Sequence, residues 1–201
     1  MSDPGIQVQK PRAFGPLNEN VRKAVVRHIT RACEVSESQA RDSIPSQVTH
    51  WGTLSYLDGG DTIYGSNMHA KSRRFTRDAT FVKYMYLFDK NERFKNRPVI
   101  LERRPVYGQL HRVVEFKADF GAQGFCNTHT VAIICPVKLN EHYTDGLGTP
   151  YCKINVFASI IAVDLDDVSC LMARVPDCGR WALYEQPYAM GLDSSEDPEE
   201  T

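Results

Sequence analysis

The stretch WGTLSYLDGGDTIYG, residues Trp51–Gly65, sets the period for most of the chain. Trp51–Leu57 and Thr62–Gly65 are short runs rich in aromatic and β-branched residues. Between them stands Asp58-Gly59-Gly60-Asp61. Glycine accepts positive φ without a steric penalty, so a Gly-Gly pair flanked by such runs predicts a β-hairpin. Strand-sized runs continue from there. Phe81–Phe88 places Val82, Tyr84, Tyr86 and Phe88 on one face and is closed by Asp89-Lys90-Asn91. Val99–Leu101 and Val106–Phe116 follow, separated by Pro105. Thr130–Cys135 is apolar throughout, which predicts a central strand buried on both faces, with its ladder ending at Pro136. Residues 140–150 read as a polar loop, and Lys153–Ala158 and Ile160–Asp164 as short strands. Val168–Val175 and Arg180–Glu185 form a last predicted hairpin around Pro176-Asp177-Cys178-Gly179, with Trp181 expected to be buried against the 106–116 strand. Short strands without alternating helices predict a mainly β fold with N-terminal helices: an antiparallel small-barrel or sandwich-like domain over residues 48–187.

Upstream of Val48 the period is helical. Val21, Ala24, Val25, His28, Ile29 and Ala32 recur on one face after Asn18, a good N-cap, and Ser36 with Gln39 spells a capping box before Pro45. Residues 18–47 are therefore a helical lead. The second helix is short and nearly neutral, which disfavours a helix-turn-helix, whose recognition helix needs several donors toward base edges. Pro4, Gly5, Pro11 and Gly15-Pro16 break any pattern before that and predict a flexible tail over 1–17. Five carboxylates in Asp193–Thr201 predict an acidic disordered tail over 188–201.

The 201 residues carry 24 basic and 25 acidic side chains, a formal net charge of −1. That near-zero sum hides a separation. Residues 1–67 hold seven of each sign; 68–117 hold thirteen basic and five acidic, net +8; 118–201 hold four basic and thirteen acidic, net −9. A cationic middle suits a polyanion, and an acidic last third suits a basic protein partner such as a histone tail. Within the cationic middle, Lys71, Arg73, Arg74 and Arg77 crowd into seven residues of a predicted loop, and Lys83, Arg103 and Arg104 follow on strands. Phe75, Phe81, Tyr84, Tyr86 and Phe94 interleave with them. Lys and Arg release phosphate counterions and exposed aromatics stack on unpaired bases, so these seven cations are the candidate nucleic-acid-binding residues.

Catalytic signatures are absent from the sequence: there is no G-x-S-x-G, Walker loop or H-E-x-x-H. Asp164, Asp166 and Asp167 are the tightest carboxylate cluster before the tail, but neighbours on a strand point to opposite faces, so a solvated turn is the better reading. The six cysteines include no C-x-x-C, and Cys126 with His129 lacks a second matching pair, so neither a metal nor another cofactor is expected. The chain reads as non-catalytic. With no signal-like start and no apolar run of membrane length, it reads as intracellular, the nucleus included, with no membrane partner.

Five segments share a further likeness. Trp51–Tyr64, Arg77–Tyr84, Val106–Val114, Val163–Val175 and Arg180–Tyr184 resemble, in order, the C-terminal β-rich region of fungal mobile-element proteins, and the region after the catalytic domain in plant CACTA-type transposases. The resemblance spans roughly residues 18–187. It implies an accessory module of transposon origin whose nuclease core lies elsewhere in the parent protein, and it carries over no catalytic residue.

Overall fold

Asn18 turns the chain into its first helix: its Oδ1 accepts from the N–H of Val21 at 2.9 Å. Helix α1 (Glu19–Ala32) buries Val21, Ala24, Val25, Val26 and Ile29 and leaves Lys23, Arg27 and Arg31 exposed. The predicted capping box opens α2 (Glu37–Ser43). Gln39 N–H donates to Ser36 Oγ and Ser36 N–H donates to Gln39 Oε1, which satisfies two donors a helix start would otherwise leave bare. Arg22 ties the two helices together by donating to the carbonyls of Arg41, Ile44 and Pro45.

The computed structural model describes residues 5–57, 62–67, 78–91, 94, 96–119, 127–139 and 148–185. Its strands are β1 (Ile6–Pro16), β2 (Gln47–Tyr56), β3 (Thr62–Tyr64), β4 (Phe81–Asp89), β5 (Leu101–Ala118), β6 (Asn127–Leu139), β7 (Tyr151–Phe157), β8 (Ile161–Asp164), β9 (Val168–Asp177) and β10 (Arg180–Glu185). A 3₁₀ turn, Leu165–Asp167, joins β8 to β9. All pairings among these strands are antiparallel.

Six strands close on themselves. β5 pairs β4, β4 pairs β9, β9 pairs β10, β10 pairs β7, β7 pairs β6, and β6 returns to β5. One apolar cluster takes a residue from every member of this ring: Phe81, Tyr107, Val137, Cys152, Met172 and Leu183. It is the interior of a small barrel, an architecture that removes sheet edges. Gly108 sits where β5 has β4 on one edge and β6 on the other; a Cβ there would come within 2.5 Å of Ile134 Cγ2. Beyond the ring, β5 and β6 continue as a sheet joined by β2, β3, β8 and β1. One face of that sheet, with Val114, Phe116, Val131 and Ile133, packs on α1. The other, with Leu110, Val113, Ala132 and Ile134, packs on Leu54, Ile63, Tyr84 and Leu171. The two-face burial expected of Thr130–Cys135 holds for Val131–Cys135.

Several local expectations need correcting. The supposed tail is strand over Ile6–Pro16, in register with β2 from Ile6↔Tyr56 to Pro16↔Gln47. Pro11 is accommodated because the register shifts between Gln9 and Arg12, and because β1 is an edge strand. Pro136 does not end its ladder. β6 runs through it to Leu139, changing neighbour from β8 (Val131–Ile134) to β7 (Val137 and Leu139) at that point. Pro105 likewise lies inside β5, where β4 is the neighbour and the ladder to β6 begins only at Gly108. Trp181 is half-buried, and it borders the barrel cluster in which Tyr107 is the member from the 106–116 stretch. The β2–β3 hairpin pairs as expected, Thr53↔Tyr64 and Leu54↔Ile63; its turn, Asp58–Asp61, lies outside the described residues, as does the expected acidic tail 188–201. In the β9–β10 hairpin, Cys178 and Gly179 both take positive φ, +44° and +80°, the requirement of a two-residue primed turn.

Candidate functional site

The cationic middle of the sequence becomes the β4–β5 hairpin and the segment before it. The predicted cations Lys71, Arg73, Arg74 and Arg77 lie outside the described residues. Lys83, Arg103 and Arg104 are placed, and they do not share one surface. Lys83 projects from the same side of β4 as Phe81, toward the barrel mouth, and donates to Glu185 Oε1 at 2.6 Å. That hydrogen bond is the main reason its ammonium pKa is raised. Arg103 and Arg104 are consecutive on β5 and so face opposite ways. Arg103 pairs with Asp167, in the 3₁₀ turn. Arg104 donates to Glu102 at 2.6 Å, and Lys90 reaches the same carboxylate at 3.1 Å. The two bonds, Arg104's first, hold the Glu102 carboxyl below its ordinary pKa.

The aromatics divide sharply. Phe81 and Tyr84 are buried, at 1% and 0% exposure, and belong to cores. Phe88 and Phe94 are 37% and 50% exposed, at the far end of the hairpin. Phe88 meets Tyr86 edge-on with centroids 4.9 Å apart, and the Arg97 guanidinium lies 4.4 Å from the centre of the Phe94 ring. Tyr86 is also held from α1, since Arg31 donates to its hydroxyl at 3.0 Å. Register puts Phe88 opposite Glu102 and Tyr86 opposite Arg104, so aromatic and cationic side chains share one face of the hairpin. Leu87 and Leu101 are exposed on the opposite face, and Val99 and Ile100 are exposed just before β5. Sequence spacing could assign Tyr84, Tyr86 and Phe88 to one face; it could not say where along that face the core stops.

The other candidate clusters separate or fall outside the described part. Asp164 ends β8 and binds His28 Nε2 at 3.2 Å, Asp167 faces Arg103, and Asp166 is exposed, so the three carboxylates do not converge. The hydrogen bond from His28 lowers the Asp164 pKa. His129 stacks on Phe116, while Cys126 lies outside the described residues. Among the described residues no three His, Cys, Asp or Glu side chains gather as metal ligands, and no helix is long and apolar enough to cross a membrane. Comparison of the chain with family models, curated proteins and solved structures finds no match.

Proposed function

We propose that the chain is a non-catalytic module that binds nucleic acid weakly and with little sequence preference, single strands ahead of duplex. Its origin would be the accessory part of a mobile-element protein, as the five sequence segments imply. The observation that carries the binding reading is the pair of exposed rings, Phe88 and Phe94, on a hairpin that also presents Lys90, Arg97 and Arg104. An exposed ring offers a π-face to an unpaired base, worth roughly 1–3 kcal/mol per base. The ion pairs at Glu102 do not exclude phosphate. Pairs of exposed charges are weak in water, so a phosphate oxygen can compete for either cation. The segment with Lys71, Arg73, Arg74 and Arg77 leads into the same hairpin strand and adds four positive charges.

The test is a fluorescence-anisotropy titration of single-stranded and duplex oligonucleotides at two salt concentrations. The expected affinity is on the order of 10⁻⁴–10⁻⁶ M at physiological salt, falling steeply as salt rises. Joint replacement of Lys71, Arg73, Arg74 and Arg77 by Ala should flatten the duplex salt slope by about 0.9 for each phosphate no longer neutralised. Absence of binding to both forms at low salt by folded protein would discard this reading. A protein interface is the second reading. Its support is the exposed aliphatic group Leu87, Val99, Ile100 and Leu101, which a base does not require.

A further inference from the structure

Between α1, β4 and β8, and bordered by Tyr86, runs a cleft of about 500 Å³. That is the size of a small-molecule site. Its apolar lining comes from Met85, Leu87 and Leu101 on the hairpin and from Ile160 and Ile161 at β8, and polar groups make up nearly as much of the wall. The polar groups around it are not equivalent. Asp164 is engaged by His28, and Asp167 by Arg103. Arg27 and Arg31, one turn apart on α1, have no carboxylate partner among the described residues. Arg31 is held in place through one nitrogen only: Nη1 donates to the Tyr86 hydroxyl at 3.0 Å and toward the Leu87 carbonyl at 3.4 Å, with the guanidinium 5.6 Å from the Tyr86 ring centre. The Arg27 side chain makes no hydrogen bond or ion pair with any described residue. Counting Arg27, Arg31 and Arg103 against Asp164 and Asp167 leaves one positive charge in excess.

We propose that this cleft binds a small organic anion with an apolar body, such as an aliphatic carboxylate. The carboxylate would take the unused donors of Arg27 and Arg31, whose planar forks suit a two-oxygen acceptor. The hydrocarbon would lie along Met85, Leu101 and Ile160. Arg31 is already oriented by Tyr86, so little side-chain freedom is lost when the anion arrives. The site is separate from the nucleic-acid reading and does not depend on it.

Decanoate, below its micelle concentration, is the probe for a calorimetric titration of the whole chain. Decanol and decyltrimethylammonium, of matching chain length, are the comparators. Methyl resonances of Met85, Leu101 and Ile160 locate the binding. The expected result is saturable one-to-one binding of decanoate, about tenfold tighter than decanol, because a charge-assisted hydrogen bond contributes at least that factor. Arg27→Gln, an exposed and unpaired position, should reduce decanoate to the level of decanol. Ala32→Trp, an exposed position on the cleft wall, should block both. Equal binding of decanoate and decanol overturns the proposal. So do absence of saturation, shifts confined to other methyl groups, or an unchanged affinity in folded Arg27→Gln.

Discussion

β4 and β5 build two regions of opposite character from one ladder. At the Phe81 end they are walls of the barrel: Phe81 is 1% exposed and packs with Met172 and Leu183. At the Asp89 end they carry Phe88 and Leu101, 37% and 48% exposed. Alternation along the strands is the same in both. What differs is the number of neighbours. β9 pairs β4 only over Val82–Tyr84, and β6 joins β5 only from Gly108 onward. Beyond those points the hairpin has only its own two strands, Met85–Asp89 against Leu101–Pro105. A two-stranded ribbon cannot bury a face by itself. Closure of the ring, more than the residue types, separates structural aromatics from those open to a ligand.

Breaking the barrel side should give the largest effect. Phe81→Ala removes a ring that stacks with Phe157 and lies under the Arg174 guanidinium, 3.9 Å from its centre. Urea unfolding should register a loss of about 3–5 kcal/mol. Arg174→Ala comes next. That side chain spans Phe81 and Trp181, lying 4.7 Å from the Trp181 ring centre, and pairs with Asp78. Its loss should cost about 1–3 kcal/mol by the same assay, with Arg174→Lys recovering the charge but not the flat stacking surface.

Acid should weaken the core sheets gradually. Burial lowers the pKa of His50, His111 and His129 from the ordinary value of 6.5. Between each lowered folded value and 6.5 the unfolded chain binds more protons, so stability falls as pH drops below about 6.5. Asp164 acts lower on the scale. The bond from His28 depresses its pKa below 3.8, so its contribution is complete above about pH 4 and lost as pH falls through the folded value. Urea midpoints measured from about pH 7.5 down to about pH 3 should show both steps in that order. A midpoint independent of pH down to about pH 5 would mean that the three imidazoles do not stay neutral in the fold. The hairpin side gives the smallest change in stability: Val99→Ser, at 68% exposure, should stay within about 0.5 kcal/mol of the parent.

The local parts of this comparison are legible in the sequence, and the closure is not. Asn18, Ser36 and Gln39 announce both helices because capping is chemistry between near neighbours. Asp177-Cys178-Gly179 marks the last hairpin for the same reason. β1 is hidden by Pro11 and Gly15-Pro16, which its edge position and shifted register absorb. The pairs that close the ring, Val82↔Leu171, Val137↔Phe157 and Trp181↔Cys152, join segments distant in sequence, and no local pattern encodes them. Charge density alone marks the candidate cations. Density cannot show that Lys83 turns toward Glu185 or that Arg103 belongs to Asp167, because those partners are remote carboxylates.

The division between buried and open ends of one ladder is tested most directly by Phe88→Ala combined with Phe94→Ala. The measurement is anisotropy titration of a single-stranded oligonucleotide at low salt, with urea unfolding run on the same samples. The account predicts binding weakened by about tenfold or more, as loss of one or two stacked bases requires, with stability reduced by no more than about 1 kcal/mol. Unchanged binding by a folded double variant would contradict it, and so would a collapse of stability that placed these two rings in the core.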